Sequence, residues 1–101
     1  MSKNQVSYHE RLLIRLKNDP DAQQAYLQAS LEENSDMPEA FLLALRTVAE
    51  ANGFQDVAKQ SKLNRESLYK ALPTTGRSKP RFDTIVKILG ALDLRLAVVC
   101  E

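Results

Sequence analysis

"FQDVAKQSKLNRESLYKAL", residues 54–72, divides into two short amphipathic pieces joined by three residues. Val57 and Ala58 share one side of the first piece, which predicts a helix over about Phe54 to Ser61. "SKL" breaks the pattern. Asn64 is a strong N-cap residue, so a second helix is expected from Arg65 to Leu72, stopped by Pro73. Leu68, Ala71 and Leu72 fall on one side of it. Glu66, Tyr69 and Lys70 fall on the other, with Arg65 and Ser67 flanking them in the first turn. Ala58 inside the first helix, Leu63 in the turn and Leu68 inside the second suit two helices that cross steeply through a short connection. The stretch reads as a helix-turn-helix.

The outward face of the second helix has the chemistry of a major-groove reader. Arg65 can donate two bonds to guanine O6 and N7, and Lys70 can do so less rigidly. Glu66 can accept from cytosine N4, and Tyr69 can meet a thymine methyl or a phosphate. Gln55 opens the first helix of the pair, where free N–H groups can face a phosphate. The loop after the second helix, "PTTGRSKPR", offers hydroxyls and cations at Thr74, Thr75, Arg77, Ser78, Lys79 and Arg81 for gripping a DNA backbone without reading it. An ordinary solvated face on two packed helices fits the same pattern.

Charge near this stretch suits a polyanion, and suits equally a solvated face on an ordinary helical protein. Residues 1–53 hold 5 Lys/Arg against 8 Asp/Glu, a net −3; residues 54–101 hold 9 against 5, a net +4. Lys59 to Arg81 contains seven basic residues and one acid, Glu66.

The flanking chain is helical as well. Ser7 and Glu10 predict a capping box for a first helix to about Lys17, with Tyr8, Leu12, Leu13 and Leu16 inward. Asp19-Pro20 starts a second helix to Glu33, with Ala22, Ala25, Tyr26 and Ala29 on one side. Asp36 and Glu39 predict another box and a third helix over about Met37 to Ala51, burying Phe41, Leu42, Leu45, Val48 and Ala49 and ending at Asn52-Gly53. A sixth helix, about Phe82 to Leu92, is expected to bury Phe82, Ile85, Val86, Ile88 and Leu89. "LRLAVVC", residues 94–100, reads as a short strand. A lone strand needs a partner, and no second one is evident, so a second copy of the chain is expected to supply it.

The 101 residues suffice for one modest core, and 44% hydrophobic content with only 3 Gly favours a packed helical fold. No apolar run approaches the roughly 18–20 residues of a membrane span, and "MSKNQVSYHE" lacks the apolar core of a secretory signal. One cysteine, Cys100, permits no internal disulfide, which fits a reducing cytoplasm. His9 is the single histidine and stands by a helix start. Neither metal-ligand spacing nor a phosphate-cradling glycine loop is present. No catalytic residue, cofactor or metal is expected.

Residues 40–92 resemble the helix-turn-helix domain of Cro and phage repressors, the XRE type. The quoted blocks "SYHERLLIRLKNDPDAQQAYLQASLEE", "EAFLLALRTVAEANGF", "LNRESLYKAL" and "ILGALDLRLAVV" together resemble the HigA-like addiction-module antidote proteins, over roughly residues 7–99. The resemblance implies a lambda-repressor-like helix-turn-helix bundle; the helix pattern and a mild composition shift near residue 36 divide the all-α chain into a two-helix extension in residues 1–36 and a unit in residues 37–101 with the short C-terminal strand. The resemblance also implies a cytoplasmic antitoxin that neutralises a RelE-like ribonuclease toxin and represses its own operon as a homodimer on palindromic double-stranded DNA. By resemblance the base contacts fall at Arg65, Glu66 and Lys70, with Asn64 and Ser67 beside them. Two positions depart from the pattern. Lys62 stands where the turn usually has Gly, and Phe54 stands where phage repressors often carry Gln or Thr. A stand-alone regulator, or a protein-binding module without DNA binding, would suit the same chain.

Overall fold

A computed structural model describes residues 7–100 as six helices: α1 (Tyr8–Leu16), α2 (Pro20–Glu33), α3 (Pro38–Asn52), α4 (Phe54–Ser61), α5 (Arg65–Ala71) and α6 (Phe82–Ala91). Residues 1–6 and 101, which belong to the two expected segments, lie outside the described residues. No strand occurs among those described.

The caps explain most boundaries. Ser7 Oγ accepts from the Glu10 N–H at 3.1 Å while the Glu10 carboxylate accepts from the Ser7 N–H at 3.3 Å, closing the expected box on α1. Asn18 turns the chain in a left-handed conformation, and Asp19 then caps α2 through the Ala22 N–H at 3.0 Å. The Asp36–Glu39 box does not form. Pro38 takes the first helical position of α3, which moves the cap onto Met37, a residue with no side-chain acceptor suited to the role.

α3 is the central helix. α1, α2 and α4 pack on it, and α5 and α6 pack on α4. Leu42, Leu45, Val48 and Ala49 are buried along it, together with Ala44, Thr47 and Ala51, so most of its circumference is covered. Leu12, Leu16 and Leu27 from the first two helices join the same buried cluster as Val57, Leu68, Leu72, Ile88 and Leu89.

Three expectations about side chains are corrected. Tyr8 is 78% exposed. At the first helical position its side chain leans toward the N-terminus, past the end of the packed surface that begins at Leu12. Ala25 is exposed, and α2 instead buries Gln23 and Leu27. The Gln23 amide tolerates this because its Nε2 donates to the Leu16 carbonyl at 2.8 Å and to Asn52 Oδ1 at 3.4 Å. On α6, Ile88 and Leu89 are buried but Phe82 and Val86 are exposed. Five apolar positions wrap more of this ten-residue helix than its contact with α4 can cover.

The expected C-terminal strand is corrected as well. α6 ends with Asp93 left-handed and Leu94 N–H donating to the Leu89 carbonyl at 2.8 Å, a Schellman closure. Residues 95–100 then run exposed and without ladder partners among the described residues, although Leu96, Val98 and Val99 have strand chemistry. Backbone pairing, not propensity, is what makes a strand, and nothing among the described residues offers an edge.

Candidate nucleic-acid interface

α4 and α5 are joined by Lys62, Leu63 and Asn64. Lys62 adopts the left-handed conformation (φ 61°, ψ 26°), and the Leu63 N–H donates to the Ala58 carbonyl at 3.1 Å. This is again a Schellman closure, made with lysine where glycine is the low-cost residue. Asn64 Oδ1 accepts from the Ser67 N–H at 2.7 Å and starts α5.

α5 is footed firmly. Leu68 and Leu72 are fully buried and Ala71 nearly so. Arg65, Glu66, Ser67 and Lys70 stand exposed on the outer side. The loop behind is held by two contacts. Ser78 Oγ–H donates to the Ala71 carbonyl at 2.6 Å, meeting one of the unpaired acceptors at the end of α5. Gly76 is buried with φ 70°, where an added Cβ would lie 2.8 Å from the Glu39 carbonyl oxygen and 2.9 Å from Leu43 Cγ.

This arrangement gathers Ser67 and Lys70 of α5 with Ser78, Lys79 and Arg81 of the loop and Thr84 of α6 around an open cleft of about 360 Å³. Arg77 does not join them. It borders a separate depression with Pro38, Glu39, Ser78 and Lys79. Gln55 and Thr74 are exposed but line neither. Arg81 is shared, its Nε lying 3.1 Å from Asp83 Oδ1 on a solvent-exposed pair that adds little stability. The Ser78 hydroxyl hydrogen is already committed to Ala71, which leaves it no donor for a phosphate. Asn64 uses its oxygen as the cap, which leaves its Nδ2 group as the free end.

Tyr69 is less free than its position on the wheel implies. Its ring stacks on Phe54, centroids 4.8 Å apart and planes inclined by 29°. The Arg65 guanidinium lies 5.6 Å from the Tyr69 centroid. The Arg46 guanidinium, from α3, lies 5.0 Å from the Phe54 centroid and 5.8 Å from that of Tyr69. Arg46 also donates through Nη1 to the Leu72 carbonyl at the end of α5. Its Nε is 3.6 Å from Glu50 Oε1, and Glu50 Oε2 meets His9 Nε2 at 3.2 Å. Arg46 escapes a reading of the sequence that seeks polar sets on short helices. The visible signals are the pairing of Arg46 with Glu50 one turn on and the aromatic residue at position 54.

Fold and site define a small all-helical protein that holds one short, well-anchored helix and a basic loop toward the outside. Residues 14–100 match the family described as "probable addiction module antidote protein". The chain belongs to that family, whose description points to the antitoxin side of an addiction module and, in general, to a toxin as partner. An uncharacterized protein of Haemophilus influenzae is 40% identical to it over 75 residues, which cover 74% of this chain and 73% of that protein. No solved structure matches. None of the described helices is long and apolar enough to cross a membrane.

Proposed function

We propose that this antidote also represses its own operon, through a HigA-like, XRE-type helix-turn-helix made of α4 and α5, and that its toxin is RelE-like. In this reading a cytoplasmic homodimer binds a palindromic operator. Arg65, Glu66, Ser67 and Lys70 read base edges, with Asn64 Nδ2 beside them, while Gln55, Thr74, Arg77, Lys79 and Arg81 meet phosphates. One observation carries the proposal: the four outward side chains of α5 stand on a rod whose opposite side is wholly buried, beside a cleft lined by Lys70, Lys79 and Arg81. A major groove about 12 Å wide admits one such helix, and cations to its side meet the flanking phosphates. The net −3 of residues 1–53 suits a basic ribonuclease toxin. The uncovered apolar residues 96, 98 and 99 suit pairing of two copies.

The test is titration of a duplex from upstream of the protein's own gene against a scrambled duplex, read by fluorescence anisotropy. Arg65→Ala and Lys70→Ala are expected to lose sequence preference, by about 1–3 kcal/mol each. Lys79→Ala is expected to weaken binding to every duplex alike and to reduce the salt slope by about 1. Equal losses on all duplexes for the three variants refute the assignment, and no preference in the wild type refutes DNA reading. A monomeric sedimentation mass at micromolar concentration refutes the dimer. Failure of a co-expressed RelE-like neighbour to co-purify refutes the toxin assignment.

A further inference from the structure

We infer that Arg46, on a helix that faces no DNA in the reading above, is a positioning residue for sequence recognition, acting through Phe54 and Tyr69 on Arg65. The inference rests on that reading and adds a residue to it. The guanidinium of Arg46 meets two other helices at once. It bonds the Leu72 carbonyl that closes α5, and it lies against the Phe54 ring that opens α4. It also lies 5.8 Å from the centroid of the Tyr69 ring on α5. Glu50, itself met by His9, borders the guanidinium on its own helix. The Arg46 side chain is only 16% exposed, so these contacts are little diluted by water.

The result is a layered platform, Arg46 against Phe54 and Phe54 against Tyr69, on which the Arg65 guanidinium rests. A planar guanidinium stacks on an aromatic face while its N–H groups stay free at the edge. An arginine held this way has lost part of its rotamer freedom before it meets a base. Ordering a long side chain on binding typically costs about 0.5–1.5 kcal/mol, so removing the platform is expected to reduce discrimination at the base pair Arg65 reads by roughly two- to tenfold. Tyr69 is thus part of the support beneath the reader.

The test uses the full chain and an operator duplex with single base-pair changes at each position. Arg46→Met keeps length and apolar contact and removes the guanidinium. Arg46→Lys keeps the charge and a donor for Leu72 but not the flat stack, so it serves should the methionine variant unfold. Both are expected to lose discrimination at the Arg65 position and to keep it elsewhere, while the Phe54 and Tyr69 ring proton signals shift in NMR spectra without DNA. Tyr69→Phe is expected to behave as wild type. Tyr69→Ala is expected to match Arg46→Met, and the double variant Arg46→Met with Tyr69→Ala to be no worse than Tyr69→Ala alone, the mark of one residue acting through the other. Additive losses, or unchanged discrimination with shifted ring signals, overturn the role of Arg46 and leave DNA reading intact. Unmoved ring signals overturn the platform itself. A wild-type chain without operator preference overturns both.

Discussion

Replacing Gly76 by alanine tests how the basic loop is fixed against the body of the protein. Gly76 is buried at φ 70°, a conformation that costs an L-residue about 1–2 kcal/mol. The new Cβ would also sit 2.8 Å from the Glu39 carbonyl oxygen and 2.9 Å from Leu43 Cγ. The first of these is backbone of α3 and cannot rotate away. Overpacking of this kind adds about 1–3 kcal/mol, so the whole change is expected to destabilise by about 2–5 kcal/mol. Urea unfolding followed by far-UV circular dichroism reads this as a lower midpoint at unchanged slope. Thermal unfolding should fall by at least about 8 °C. Leu43→Ala removes one of the two obstacles, so the double variant should recover about 0.5–1 kcal/mol relative to additivity. A Gly76→Ala protein within about 0.5 kcal/mol of wild type would refute both the conformation and the close approach.

Two further predictions concern the ends of α5 and α4. Asn64→Ala removes the acceptor for the Ser67 N–H and should cost about 1 kcal/mol, whereas Asn64→Ser should restore most of it; equal stability of the two in urea would refute capping. Lys62→Gly relieves a left-handed lysine and should raise stability by about 1 kcal/mol, seen as a melting temperature several degrees higher; a lower one would refute strain at that turn.

Much of the fold is legible where chemistry is local. Ser7 with Glu10, Asp19 with Pro20, and Asn64 each mark a helix start that the structure forms. At Lys62, where the family resemblance places glycine, the sequence leaves a strained backbone or a different turn open, and the structure has the left-handed one. What escapes depends on what lies across from a residue. Gln23 is polar, and only the Leu16 carbonyl facing it makes its burial tolerable. Phe82 and Val86 have the right spacing for a core, yet none of the described helices covers them. The strand expected at 94–100 is a sequence preference without an edge to join among the described residues. In the site, the outward set Arg65, Glu66, Ser67 and Lys70 follows from the burial of Leu68 and Leu72 on the other side. The residues give Asn64 a cap and the family resemblance a place beside the base contacts, and the cap occupies its oxygen. Tyr69 lies on the exposed arc, but its neighbour Phe54 comes from another helix, and Arg46 from a third, so their stack has no one-dimensional signature.

The buried cluster runs without interruption from Leu12, Leu16 and Leu27 to Leu68 and Leu72. The first two helices and the outward-facing rod therefore stand or melt together. A ligand that grips only folded α1 and α2, present at a hundred times its dissociation constant, adds about 2.7 kcal/mol to the unfolding free energy of the entire unit. Occupancy at one end of the molecule is thereby felt, through thermodynamic linkage alone, as greater persistence of structure at the other.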